Sequence, residues 1–145
     1  MMRLLVATDF SPSADTATTF ARSIAKAVDA EVIVLHVLEL APIMAEIADE
    51  QLPPDVAAEL LDRLRTDVAR RLAREADRYP KAMAIALEGA PRTMIVDLAK
   101  EVGADLIVMG TQGRSGLDRI VLGSVAEHVV RHSTVPVLTV RLRRD

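Results

Sequence analysis

A chain of 145 residues with a formal charge of −3 has the length of one domain, enough to bury about two thirds of the surface its unfolded form exposes. It contains no cysteine, which excludes disulfides and thiolate metal sites and makes the cytoplasm the expected location. With an acidic balance, one Tyr, two Phe and no Trp it lacks what a general nucleic-acid binder needs, and no stretch approaches the ~20 apolar residues of a membrane span.

Residues 3–8 read as a first strand, too short and too early for a signal peptide. Asp9, Phe10 and Ser11 then lead into a helix, with Ser11 suited to the N-cap and Pro12 to the first helical position. Ala17, Phe20, Ala21, Ile24 and Val28 recur at helical spacing and mark its expected inward face. Residues 31–38, almost continuous in Val, Ile and Leu, form a second strand covered on both sides and so placed in the middle of a sheet. Residues 39–54 carry helix formers but end in Pro53 and Pro54, which fits a connection or a short helix.

A long helix follows over residues 55–79, with Ala57, Leu60, Leu61, Leu64, Val68 and Leu72 on one face and Pro80 as its stop. Residues 81–87 make a third strand and residues 91–102 a helix with Met94, Ile95, Leu98 and Ala99 inward. Gly103 fits the position just past that helix, before a fourth strand over residues 105–109. Ser124 and Glu127 match the S-x-x-E capping box, so a last helix runs to about residue 131, followed by a fifth strand over residues 135–142 with Pro136 near its start. Strand and helix alternate throughout a single domain, residues 1–145. Right-handed crossovers then give an α/β, doubly wound, five-stranded parallel sheet with helices on both faces and a ligand crevice where the strand order reverses.

Directly after the fourth strand, Gly110, Gly113, Gly123 and Ser124 stand in the order G-x2-G-x9-G-S. A strand opening into a glycine-punctuated loop and then a helix offers free backbone N–H groups and a positive helix end, the requirements of an anionic phosphate chain. Ser124 has two roles open to it, capping its own helix or turning to a phosphate oxygen. Asp9 can accept hydrogen bonds from sugar hydroxyls or coordinate Mg²⁺, or it can organise the turn into the first helix. Arg114 can pair with phosphate or point to solvent, and Val37 by its spacing alone is core. His128 and His132 are one helical turn apart, but no third ligand accompanies them and no metal site is expected. There is no Walker G-x4-G-K-[ST], no G-x-G-x-x-G, no nucleophile elbow and no Lys behind the glycines, so hydrolysis of any bound phosphate chain should be slow.

Three segments together resemble the universal stress protein family over the full length of the chain: Val6 to Ser11, Val34 to Val37, and the run from Gly110 to His128, GTQGRSGLDRIVLGSVAEH. The resemblance implies a Rossmann-like sheet in the order 3-2-1-4-5, with ATP lying over the ends of the first and fourth strands. It also implies a two-fold homodimer through the last strand, residues 136–142, a strand edge that would be a liability if left bare. The family divides into members that carry the glycine motif and bind ATP and members without it; the motif here is intact. The nucleotide-binding set implied is Thr8, Asp9, Val37, Met109, Gly110, Gly113, Arg114, Gly123, Ser124 and Val125. Within it, Asp9 meets the ribose or phosphates, the Val37 backbone faces adenine, and Gly123, Ser124 and Val125 offer N–H groups to the terminal phosphates. Thr111 and Gln112 stand where a Ser-His pair is frequent, which removes any role for a histidine there. The expected function is a stress-response signalling module that binds ATP, with Mg²⁺, in the cytoplasm; the alternatives are a cyclic AMP binder, a nucleotide-free dimeric scaffold, or a weak ATP-cleaving enzyme.

Overall fold

The computed structural model describes residues 1–112 and 122–142. Its strands are β1 (Arg3–Ala7), β2 (Glu31–Leu38), β3 (Ala82–Glu88), β4 (Leu106–Gly110) and β5 (Val137–Val140). The helices are α1 (Pro12–Val28), α2 (Leu40–Asp49), α3 (Pro54–Ala76), α4 (Pro91–Glu101) and α5 (Ser124–His132). All neighbouring strands are parallel and the sheet order is β3-β2-β1-β4-β5, the expected doubly wound α/β architecture. Leu5 pairs with Ile33 on one side and Ile107 on the other, so the order reverses between β1 and β4.

Alternation along the strands sends Leu5, Ala7, Ile33, Leu35, Val37, Ile107 and Met109 toward α4 and α5, and Leu4, Val6, Val32, Val34 and Val108 toward α1 and α3. Burial on both faces is why β2 reads as an almost continuous apolar run, broken only by the buried His36. β5 is shorter than expected: Pro136, with no N–H to give, stands just before it and contributes only its carbonyl, which accepts from Ile107 N–H at 2.9 Å.

Ser11 caps α1 as anticipated, its Oγ accepting from Ala14 N–H at 3.2 Å, with Pro12 at the first helical position. The buried stripe of α1 is made of small residues, Ala14, Ala17, Thr18, Ala21 and Ala25, which lets the helix lie close against the sheet. Phe20 and Val28, expected inward, are 50% and 49% exposed. Phe20 stands roughly 100° round the helix from Ala21, and Val28 is the last helical residue. The Tyr79 hydroxyl donates to the Thr18 carbonyl at 3.0 Å and ties the end of α3 to α1.

Only Val68 and Leu72 of the expected α3 face are buried, and Leu60 is 37% exposed. Arg65 Nε lies 2.5 Å from Glu88 Oε1, so residue 65 is level with the carboxyl end of β3. At about 1.5 Å per residue the preceding helical turns overhang the sheet edge by some 16 Å, where no strand covers Leu60. Gly103 sits past the end of α4 with φ +63°, the left-handed conformation that a helix terminus asks of glycine.

Candidate functional site

β1 ends at Ala7 and the next three residues form a tight turn fixed by three hydrogen bonds. Thr8 N–H donates to the Leu35 carbonyl (2.8 Å), Phe10 N–H to Thr8 Oγ1 (3.0 Å) and Ser11 N–H to Asp9 Oδ1 (2.9 Å). Asp9 therefore does organise the turn with one oxygen, while its other oxygen accepts no bond from the described residues. Phe10 is held at φ +63°, a costly backbone conformation for a bulky residue. Its ring stacks on His36 with centroids 4.5 Å apart, and the Arg71 guanidinium lies 4.6 Å from the same ring. His36 Nδ1 lies 2.8 Å from the Thr8 carbonyl, which can only accept, so the hydrogen is on Nδ1.

Gly110 ends β4 beside the start of α1. A Cβ there would lie 2.5 Å from Ser13 Oγ, 2.7 Å from the Ser13 carbonyl carbon and 2.9 Å from Ala14 N, so the bare backbone permits a close strand–helix junction. Gln112 N–H donates to Ser13 Oγ at 3.3 Å, and Gly123 N–H to the Thr111 carbonyl at 2.6 Å. The two described ends of the glycine loop are thus bound together above β4. Gly113 and Arg114 lie outside the described residues.

The expected capping box is not formed. Gly123, with φ −61° and ψ 161°, is the N-cap of α5, and Ser124 is its first helical residue with no side-chain cap bond. Glycine at the N-cap is tolerated and the loop enters in extended conformation, so the helix starts one residue earlier than the S-x-x-E pattern requires. Glu127 N–H donates to the Gly123 carbonyl (2.9 Å), and its carboxylate pairs with the Arg131 guanidinium (3.1 Å). The N–H groups of Ser124, Val125 and Ala126 have no acceptor among the described residues, leaving the positive end of α5 open.

These parts enclose a cavity of about 440 Å³, within the range of small-molecule sites. Its floor is the carboxyl ends of β1, β2 and β4, at the point where strand order reverses. One side is apolar, built by Val37, Leu38, Pro42, Ile43, Pro91 and Ile95; the other carries Asp9, Gly123, Ser124 and Val125. Of the residues singled out by sequence, Thr8, Asp9, Val37, Met109, Gly110, Gly123, Ser124 and Val125 all line it. The apolar contributions of α2 and α4 were not anticipated, although a helix entered from a parallel strand must present its first turn at that edge. Among the described lining residues there is no Lys or Arg, and the carboxylates are Asp9 and Glu39, so positive potential there comes from helix ends. The arrangement suits a flat heteroaromatic group on the apolar side joined to an anion at α5, the anion's charge offset by a cation beside Asp9.

His128 and His132 lie further along α5 and do not line the cavity. Their rings stack at 4.1 Å with an interplanar angle of 24°. Loss of hydration, then His132 and then Arg92, hold His128 below the ordinary imidazole range. Among the described residues no helix is long and apolar enough to cross a membrane.

The model of the universal stress protein family matches residues 1–141. The chain belongs to that family. A universal stress protein of Methanocaldococcus jannaschii is 36% identical over 140 residues, spanning 96% of this chain and 81% of the relative. A second universal stress protein of that organism is 30% identical over 156 residues, and its solved structure matches with a TM-score of 0.82 over 99% of this chain and 98% of the other. A universal stress protein solved in complex with cAMP is 30% identical, with a TM-score of 0.67 over 98% of each chain.

Proposed function

We propose that this universal stress protein binds ATP with Mg²⁺ in the cavity between β1, β4 and α5 and acts as a nucleotide-dependent signalling module in the cytoplasm. The observation that carries the reading is the uncapped first turn of α5, whose free N–H groups stand across the cavity from an apolar slot. Adenine fits the slot beside Val37 and Leu38, the ribose lies near Asp9, and the phosphates run to Gly123, Ser124 and Val125. The free oxygen of Asp9 supplies a hard donor for Mg²⁺, which offsets phosphate charge in a site whose described lining has no basic side chain. With no Walker motif and no Lys behind the glycines, occupancy rather than turnover carries the signal in this reading.

A cyclic AMP ligand is the second reading, favoured by the relative crystallised with that nucleotide. The intact G-x2-G-x9-G-S motif offers more N–H donors than one cyclic phosphodiester uses, which favours ATP. Calorimetric titration of nucleotide-stripped protein with Mg·ATP, cyclic AMP and GTP tests this. Micromolar ATP binding at one per chain, with GTP inert, supports it; no heat from any adenine nucleotide overturns it. We also propose a homodimer through β5 and its flanks, residues 136–142, because an open parallel edge invites pairing. Lysine at Thr139 and Leu142 should then yield monomers by sedimentation, and an unchanged dimer would rule this edge out.

A further inference from the structure

All residues of α2 except Glu46 and Asp49 are nonpolar, and Leu40, Ile43, Met44 and Ile47 recur at i, i+3, i+4 and i+7, the apolar stripe of a covering helix. Only Ile47, toward the far end, is buried; Leu40 and Ile43 are half-buried and Met44 is 49% exposed. The near end of the stripe stands over the cavity, where Pro42 and Ile43 form part of the lining. Little else holds the helix. Among the described residues its side chains make no ion pair and no hydrogen bond, and Glu39 supplies no cap. The N–H groups of Glu50, Gln51 and Leu52 return to carbonyls of α2 itself. An element with so few buried apolar contacts opens locally at small free-energy cost.

The two sides of the cavity differ in what their helices offer. α5 presents free N–H groups, whereas Pro42 in the first turn of α2 and Pro91 at the first position of α4 have no N–H and bring ring carbons to the slot. The flat face of a heteroaromatic ring fills such a slot without stranding a polar group. We propose that α2 is the cover of this base subsite. The ligand's ring does beneath Pro42 and Ile43 what the protein does around Ile47, so an occupied cavity holds α2 down and an empty one lets it open. The proposal rests on the nucleotide reading above and adds the element whose order reports occupancy. The half-exposed stripe is then the surface that changes when the ligand binds.

The test follows hydrogen exchange of the α2 amides in the nucleotide-stripped full chain: alone, with saturating Mg·ATP, and with Mg²⁺ and tripolyphosphate, which has the phosphates without the ring. Exchange in α2 should slow more than about tenfold with ATP and be unchanged by tripolyphosphate. By calorimetry Ile43→Ser should weaken ATP binding by about tenfold or more, the low end of what burying an Ile side chain contributes. Ile43→Leu, of like bulk, should restore most of the affinity. Circular dichroism checks that both variants fold, and the exchange measurement on the wild-type chain needs neither. ATP binding that leaves α2 exchange unchanged, protection by tripolyphosphate equal to that by ATP, or undiminished affinity in Ile43→Ser overturns the cover while the nucleotide reading stands. No ATP binding by the wild-type chain overturns both.

Discussion

Gly110→Ala puts the junction between β4 and α1 to a direct test. The added Cβ would lie 2.5 Å from Ser13 Oγ, 2.7 Å from the Ser13 carbonyl carbon and 2.9 Å from Ala14 N. The hydroxyl can rotate away, but the other two atoms are backbone of the first turn of α1. That turn is pinned by Ala14 N–H to Ser11 Oγ (3.2 Å) and Asp15 N–H to the Ser11 carbonyl (2.9 Å). Relief requires the strand end or the helix start to move by tenths of an ångström, an overpacking cost of about 1–3 kcal/mol. With an unfolding entropy of about 2.1 cal/mol/K per residue, that cost lowers Tm by roughly 3–10 °C. Gly103→Ala is the comparison: its φ is +63° and nothing lies within 4 Å of the added atom, so its cost, on the order of 1–2 kcal/mol, is conformational. Asparagine, which tolerates the left-handed region, should recover part of the loss at 103 and none at 110. Urea unfolding of nucleotide-free protein followed by circular dichroism reads both series without ligand linkage. A Gly110→Ala variant within about 0.5 kcal/mol of wild type would refute the steric reasoning.

Ser11→Ala should lose about 1 kcal/mol, within the 0.5–2 typical of an N-cap, whereas Ser124→Ala caps nothing and should leave stability unchanged while weakening ATP binding; equal stability losses would contradict the helix starts described. Asp9→Asn keeps the oxygen that accepts from Ser11 N–H, so it should melt like wild type yet lose the Mg²⁺ dependence of ATP affinity; unaltered Mg²⁺ dependence would remove Asp9 from the metal. Tyr79, the only tyrosine, has its phenol pushed well above the ordinary value near 10, chiefly by burial and next by Glu75. The folded state holds this proton more tightly than the unfolded state, so the contribution is complete below pH 10 and is lost as pH rises through about 10 toward the folded value. Phenolate absorbance should then appear only with alkaline unfolding, and ionisation near 10 in protein still folded by circular dichroism would contradict the burial.

Chemically punctuated positions were legible in the sequence. Ser11 with Pro12, Gly103 and the nearly continuous apolar run of β2 each carry a local physical cause, and the structure has all three where the sequence puts them. Periodicity alone was less sufficient. It marked Phe20 as inward although the small residues of α1 form the contact, and it could not know that α3 outruns the sheet, leaving Leu60 exposed. The start of α5 was ambiguous because Gly123 and Ser124 are both acceptable N-caps; the Gly123–Thr111 bond, between residues twelve positions apart, selects the glycine. The glycine side of the cavity was visible as a motif, while Pro42, Ile43, Pro91 and Ile95 reach it only through topology.

Of the paired strands, those at the β1–β4 seam are the most distant along the chain. Leu4 pairs with Leu106, and Arg3 N–H reaches Asp105 Oδ2 across 102 positions, whereas β1 meets β2 and β4 meets β5 over far shorter loops. Chain closure over such a span costs little more in equilibrium entropy than a shorter loop, but parallel pairing at long range is slow to form. The halves on either side of the seam can each gather before it closes, and the cavity floor does not exist until it does. A nascent chain that has not yet released residue 106 therefore has no cleft, and a ligand of the cleft stabilises the completed fold while leaving partly folded halves untouched.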